Sequence, residues 1–190
     1  MEKLVNIEFF KTPDGCVMYK RQGEAVRELR EQDRDLLGAL LSLIRTRYPE
    51  AFAALSDIYS RSERNRAWYE FQMVSRFIRC NLGDYDTQTL DIDGDGLLHF
   101  EQMKCPLMGT GDCRWDGVIC GPTLSTGLTT RELELLPLIA SGLQSHEIAE
   151  RLSISKNTVD RHRQNILAKL GKRSAAELAA WYHGQEAQLT

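Results

Sequence analysis

The sequence predicts a mainly α-helical protein: a helical N-terminal domain with a small hairpin and a Cys-rich segment, then a four-helix domain containing a helix-turn-helix. Three observations lead there. Apolar residues recur at helical spacing through most of 24–80 and again through 128–183. Between them, residues 81–122 are dense in Gly, Asp and Cys and carry only short strand-like pieces. In the last third, two helical stretches are separated by only three residues, "SIS" (153–155). The expected partition is 1–120 for the first domain, with its Cys-rich segment at 80–120, then a linker at 121–127, "GPTLSTG", and a second domain at 128–190.

The elements follow in order. "EFFKTPDGCVMYK" (8–20) reads as a hairpin, with Pro13-Asp14-Gly15 at its turn. Val26, Leu29, Leu36, Leu37, Leu40, Leu41 and Ile44 predict one long amphipathic helix over 24–47. Pro49 opens a second helix that runs to about Tyr59. A third extends from about Glu63 to Cys80, with Trp68, Phe71, Val74, Phe77 and Ile78 as its buried stripe and Gly83 as its stop.

In the second domain punctuation places four helices. Thr129 and Glu132 form a capping box, and Gly142 closes the first helix. Ser145 caps "HEIAERL" (146–152). Ser155 caps "KNTVDRHRQNILAKL" (156–170), which Gly171 ends. Ser174 and Glu177 open the last helix, "AAELAAWYH". In the third helix, Val159, His162, Ile166 and Leu170 should face the core with Ile148, Ala149, Leu152 and Ile154. Lys156, Asn157, Asp160, Arg161, Gln164 and Lys169 lie elsewhere and can reach DNA. A helix of this width fits the major groove.

Residues 128–178 resemble the LuxR/GerE/NarL-type DNA-binding domain. The matching pieces are "LTxRExEL", "GLQSHEIAERLSIS", "TVDRHRQNI" and "KLG". The resemblance implies a sequence-specific transcriptional regulator that binds double-stranded DNA as a homodimer, paired through the last helix on the face bearing Leu178, Ala179 and Trp181. It implies groove contacts from Asp160, Arg161 and Gln164, and phosphate contacts from Ser155, Lys156, Thr158 and Lys169. RNA polymerase is a further expected partner. Two positions depart from the family pattern. Pro137 sits inside the first helix, where it removes a backbone bond. Asp160 stands where many members carry Lys; it can accept from cytosine N4 or simply avoid the phosphates, so no base preference is carried over.

The Cys-rich segment poses its own question. "DIDGDGLLHFEQ" (91–102) has the acidic alternation and Gly96 of a calcium loop, but position twelve is Gln102, not a bidentate carboxylate, and no helix flanks it. A strand–turn–strand fits better. "HFE" (99–101) has the form of the H-x-E half of a zinc deaminase signature, but in "CP" (105–106) Pro follows the cysteine instead of preceding it and the next cysteine is eight positions on, so no enzyme is expected from His99 and Glu101. Cys80, Cys105, Cys113 and Cys120 remain. Four thiolates suit a closed structural zinc site, and an iron–sulfur cluster would use the same ligands in a redox sensor. Free buried cysteines are the plain alternative. The spacing, C-x24-C-x7-C-x6-C, matches no C-x2-C knuckle. Cys16 stands apart. The hairpin, "CPLMGTGDC" and "GVICGP" also resemble the cysteine-bearing front half of some LuxR-type regulators.

Charge and composition narrow the function. The chain of 190 residues has net charge −3, spread unevenly: −4 over 1–124 and +1 over 125–190. Within 153–173, Lys156, Arg161, Arg163, Lys169, Lys172 and Arg173 face Asp160 alone. Such a local positive patch favours a polyanion. No apolar run approaches the roughly 18 residues of a membrane span, and "MEKLVNIEFF" lacks the order of a secretory signal, so a cytoplasmic protein without membrane association is expected. The front half also lacks the paired acids and βα repeat of a phosphoreceiver. The competing reading is a protein-interaction or metal- and redox-sensing module in which DNA binding is secondary.

Overall fold

The computed structural model describes residues 3–83, 85, 89–101, 105–185 and 188–189. The chain forms two compact units, 1–124 and 125–190. The division falls inside the stretch expected to link them.

The first unit opens with an antiparallel sheet, β1 (Ile7–Lys11), β2 (Val17–Arg21) and β3 (Arg27–Glu28), in the order β1-β2-β3. Phe9 pairs with Tyr19, and Tyr19 with Arg27. The β1–β2 turn is the expected one: Gly15 donates its N–H to the Thr12 carbonyl at 2.8 Å, and its φ of +87° is one that glycine adopts without strain. Alternation buries Ile7, Phe9, Val17 and Tyr19.

Three helices pack on one another, α1 (Arg34–Arg47), α2 (Pro49–Tyr59) and α3 (Arg66–Asn81), and α3 also meets β1 and β2. A short 3-10 turn, Ser60–Ser62, joins α2 to α3. Leu37, Ile44, Leu55, Met73, Val74, Phe77 and Ile78 are almost wholly buried. Tyr48 sits at the α1–α2 corner, with its ring 5.6 Å from Phe77 and 5.3 Å from Phe100. This aromatic cluster ties the helices to the chain beyond α3.

The long helix expected over 24–47 begins ten residues late. Arg27–Glu28 instead extends the sheet, and Leu29 donates its N–H to the Val17 carbonyl at 2.8 Å. The Asp33 carboxylate accepts the Arg30 N–H at 2.8 Å, which turns the chain before α1. Val26 and Leu29 share the helical period of the real α1 by coincidence. Val26 is exposed, while Leu29 is buried beside the sheet.

The acidic stretch 91–96 is built into the sheet's flank. Ile92 bridges Ile7 on one side and Leu98 on the other, around a tight turn in which Gly96 donates to the Asp93 carbonyl. The Asp91 carboxylate is buried and accepts the Phe9 N–H at 2.6 Å. Asp93 accepts the N–H groups of Asp95 and Leu97 through one oxygen, both at 2.9 Å, and faces His99 Nε2 at 2.9 Å through the other. These two carboxylates therefore close a turn against β1 and do not point at a common centre. Gln102, which would occupy the twelfth loop position, lies outside the described residues.

The second unit holds α4 (Thr130–Ala140), α5 (Ser145–Leu152), α6 (Lys156–Leu170) and α7 (Ala175–Gln185). Helix α4 packs on α5, α6 and α7, and α5 packs on α6. Leu135, Leu136, Ile139, Ile148, Val159, Ile166 and Leu178 form its core. Pro137 stands in α4 without ending it, and Ser141 still donates to the Pro137 carbonyl at 2.9 Å. No described helix is long and apolar enough to cross a membrane.

Asp91→Ala leaves the buried Phe9 N–H without its acceptor, and should destabilise the first unit by about 1–3 kcal/mol. Asp91→Asn keeps an acceptor oxygen and should cost less. Urea unfolding of the two variants beside the parent checks the order.

Candidate nucleic-acid interface

The geometry of α6 begins with its two ends. Ser155 caps it, accepting the Thr158 N–H at 3.1 Å, and the two hydroxyls lie 2.8 Å apart. Gly171 closes it with φ of +64°, and the Lys172 N–H reaches back to the Leu167 carbonyl at 2.9 Å. Helix α5 begins one residue earlier than expected. Its cap is Gln144, whose N–H meets the Glu147 carboxylate at 2.5 Å. The turn from α5 to α6 passes through Ser153 at φ +53°, a left-handed conformation unusual for a residue with a side chain. Ile154 then donates to the Ala149 carbonyl at 3.0 Å. A single αL residue lets the chain reverse within three residues, and that reversal sets how α6 stands against α5.

The helical period sorts the α6 side chains. Val159 and Ile166 are fully buried, and His162 and Leu170 are half-buried on the same side. Asn157, Arg161, Gln164 and Ala168 fall on one outward stripe, spaced by three and four, and all four are exposed. Asp160 flanks that stripe, half-exposed. Ser155, Lys156 and Thr158 are exposed at the helix start. Seven of the eight residues expected to meet DNA thus gather on the outward side of α6 or at its N-terminus.

The eighth, Lys169, has a partner inside the domain. Its ammonium lies 2.6 Å from Glu132 Oε2, and the Glu132 side chain is only 3% exposed. The same carboxylate accepts the Thr129 N–H at 2.8 Å and the Thr129 hydroxyl at 3.0 Å. Glu132 therefore closes the capping box of α4 and holds the far end of α6 at once. The Lys169 bond, then the bonds from Thr129, hold its carboxyl well below the usual range, at about 2, against the opposing effect of burial. The local sequence shows the box; it gives no sign of a partner 37 residues away.

Two arginines are also engaged by the fold. Arg163 donates to the Leu143 carbonyl between α4 and α5. Arg131 donates to the Leu152 carbonyl at 3.1 Å and pairs with Glu134 at 2.6 Å. Both hold carbonyls that flank α5. Of the six basic residues counted over 153–173, Arg163 and Lys169 have internal partners, while Lys156, Arg161 and Arg173 are exposed.

The face of α7 expected to pair two copies requires correction. Helix α7 packs on α4, and Leu178 and Trp181 are buried at 0% and 8% exposure. They belong to the core of the protomer. The open side of α7 carries Ala176, Glu177, Ala180 and His183. Ser174 accepts the Glu177 N–H as expected, while the Glu177 carboxylate accepts from Arg173.

Four of the five cysteines of the first unit lie on one cavity. Cys80, Cys105, Cys113 and Cys120 all line a cavity of about 380 Å³, with Leu107, Met108 and Trp115 as apolar wall and Lys11, Arg76 and Arg79 as cations. Among the described residues, no three His, Cys, Asp or Glu side chains stand in a ready ligating cluster. Burial pushes the Cys80 thiol up, Arg76 pulls it back, and Cys105 and Cys113 add to the rise. Cys120 is pushed up to about 11, by burial first and then by Cys80. Asn81 is the residue that sequence reasoning missed. Buried at the end of α3, it donates to the Ile119 carbonyl at 2.8 Å and accepts the Gly121 N–H at 2.8 Å. Cys16 lies apart on the hairpin, 3.4 Å from Asp14.

With this geometry established, comparison with known proteins identifies the second unit. The luxR family of bacterial regulatory proteins, GerE type, matches residues 126–182, and this segment is a domain of that family. The oxygen regulatory protein NreC of Staphylococcus aureus, in strains JH9 and USA300 alike, is 50% identical over 54 residues, 28% of this chain and 25% of that protein. The chain thus matches about a quarter of the length of these curated relatives. No solved structure matches it.

The depressed carboxyl of Glu132 sets a pH signature. Its contribution is complete above the unfolded value of about 4.3 and is lost as pH falls toward the folded value of about 2. Glu132→Gln should destabilise the second unit by roughly 2 kcal/mol at neutral pH, and the gap to the parent should close below pH 3. Calorimetry of both proteins across pH 2–7 checks this; a gap that stays constant with pH contradicts it.

Proposed function

We propose that this chain, whose residues 126–182 are a luxR-family domain, is a sequence-specific transcriptional regulator that reads double-stranded DNA with α6 in the major groove. The observation that carries the reading is the division of α6 into two faces. Val159 and Ile166 anchor it to the domain, and Asn157, Arg161 and Gln164 stand outward on one stripe. A helix buried on one side and polar on the other is common in any bundle. Here the outward stripe carries hydrogen-bonding side chains that match base edges, an Arg that suits guanine and an Asn and a Gln that suit adenine. It also begins at a helix N-terminus with exposed hydroxyls, those of Ser155 and Thr158.

The roles divide by position. Arg161, Gln164 and Asn157, with Asp160 beside them, meet base edges. Lys156, Ser155 and Thr158 at the start of α6 hold phosphates, where the helix N-terminus adds its own N–H groups. Lys169 contributes to the phosphate side only secondarily, because Glu132 already holds it. The protein acts as a homodimer through α7, and the surface available for pairing is the one with Ala176, Glu177, Ala180 and His183. Two-fold pairing would set two α6 helices about one turn of DNA apart, roughly 34–36 Å.

The test begins with a duplex selected from a random pool by the full-length chain. Arg161→Ala should weaken binding to that duplex by about 10- to 150-fold and relax preference at one base pair. Lys156→Ala should weaken binding to all duplexes alike and lower the salt slope by about 0.9. Fluorescence anisotropy at several salt concentrations measures both. Unchanged affinity, selectivity and salt slope in a chain carrying both Arg161→Ala and Lys156→Ala would refute the reading.

A further inference from the structure

The cysteine cavity of the first unit is not required by DNA reading, and its chemistry points elsewhere. Four cysteines occur between 80 and 120, separated by up to 24 residues, and the fold brings all four to one wall. Two are carried by turns of the same form. Met108 donates its N–H to the Cys105 carbonyl at 3.1 Å, and Asp116 donates to the Cys113 carbonyl at 3.0 Å. The Asp116 carboxylate then accepts the Gly109 N–H at 2.6 Å, tying one cysteine turn to the other. Cys120 directs its thiol at the Cys80 carbonyl, 3.4 Å away, and Asn81 clamps residues 119 and 121 on either side of Cys120. The backbone thus brings three loop cysteines to the cavity that the end of α3 also lines.

Apolar burial does not account for this arrangement. Residues 105–112 are exposed without a break and form neither helix nor strand. Leu107 and Met108 are 46% and 36% exposed. A loop of this kind gains little from the hydrophobic effect, so its order needs another source. The charges around the cavity suggest which. Lys11, Arg76 and Arg79 stand on its wall, and the Arg76 Nε is buried with no hydrogen-bond partner among the described residues. Cations gathered on a wall of thiols suit a group with net negative charge at its centre.

We propose that Cys80, Cys105, Cys113 and Cys120 bind one thiophilic metal centre in all-cysteine coordination, with Lys11, Arg76 and Arg79 offsetting its charge. For zinc the balance is complete without a redox partner: one Zn2+ replaces four thiol protons, giving a tetrathiolate of charge −2 and releasing four protons. An iron–sulfur cluster would take the same four ligands. Sulfurs around a single zinc stand about 3.8 Å apart, as tetrahedral Zn–S bonds of about 2.3 Å require. The cysteines line a common wall without yet forming that cluster. Side-chain rotation and movement of the exposed 105–112 loop are what closure would require.

The centre would join the loop to α3 and fix the segment that leads out of the first unit. It stands independently of the DNA-reading proposal, because its readouts are metal, sulfide and thiol content. Full-length protein is purified without chelator and assayed by elemental analysis, acid-labile sulfide and visible absorbance. One zinc per chain, colourless, supports the site; iron with matching sulfide and a visible band supports the same ligands with a cluster. Denatured protein should show five reactive thiols, and metal-loaded native protein far fewer, with the remainder released by chelator. Cys16→Ser should keep the full metal content. Cys105→Ser, at an exposed position that the fold tolerates, should lose at least nine-tenths of it, as should Cys113→Ser. Protein with no transition metal after expression in zinc- and iron-supplemented medium overturns the proposal. So does calcium alone, or metal content in Cys105→Ser and Cys113→Ser equal to that of the parent.

Discussion

One buried carboxylate fixes the geometry of the second unit. Glu132 lies within the first turn of α4, yet its side chain reaches both Thr129 and Lys169 near the end of α6. A buried carboxylate without partners would shift toward its neutral form at considerable cost. With three donors in place it stays ionised and acts as a fixed point shared by two helices. A helix that presents side chains to a ligand must be held in position, because displacement by an ångström breaks bidentate contacts. Val159 and Ile166 set the depth of α6 in the domain. The Glu132–Lys169 pair limits its rotation and sliding, and Ser153 sets the angle at which it leaves α5. Apolar contacts alone, being non-directional, would leave those last two freedoms poorly determined.

The same reasoning shows which features were legible in the sequence. Capping boxes and glycine stops involve residues three to six apart, so Thr129–Glu132, Ser155, Gly142 and Gly171 were readable without the fold. Periodicity located α3 and α6, and Val74, Phe77, Ile78, Val159 and Ile166 are buried as expected; at the start of α3 it overreached, because Trp68 is 42% exposed and Phe71 only half-buried. It failed over 24–33, because a two-residue strand and a turn happened to place Val26 and Leu29 in phase with α1. A helical period shows that a face is buried; it does not show against what. That is why Leu178 and Trp181 could be read as a pairing face when they pack within the protomer on α4. Charge has the same limit. Lys169 and Arg163 look like free cations in a basic patch until their partners, Glu132 and the Leu143 carbonyl, are seen across the fold.

The first unit illustrates a different limit. Spacing alone did not match a familiar zinc motif, since 24 residues separate Cys80 from Cys105. Topology removes the difficulty, because the intervening chain returns along β1 to the end of α3. There the Asn81 side chain takes over the backbone groups of 119 and 121 that neither helix nor strand pairs. Asn81 drew no notice in the sequence because a single buried amide has no periodic or local signature. The acidic stretch shows the converse case. Asp91 and Asp93 form a conspicuous pattern, yet their oxygens serve backbone N–H groups and, at Asp93, the His99 ring.

Electrostatics constrain how the DNA-reading proposal can operate. The second unit carries a net charge of only +1 and the first −4, so bulk attraction to a polyanion is weak or opposed. With Arg163 and Lys169 held internally, the positive charge free to meet phosphate near α6 comes chiefly from Lys156, Arg161 and the residues that follow Gly171. Affinity on such a surface depends on placement more than on total charge. Neutral donors then matter more: the Ser155 and Thr158 hydroxyls and the first N–H groups of α6 can bind phosphate without adding charge. Non-specific binding, which rests almost wholly on counterion release, should be correspondingly feeble. A protein of this charge distribution gains selectivity because mismatched DNA offers it little to hold. Pairing two copies would then restore affinity by engaging two half-sites at once, adding contacts without adding the indiscriminate attraction that a more basic monomer would carry.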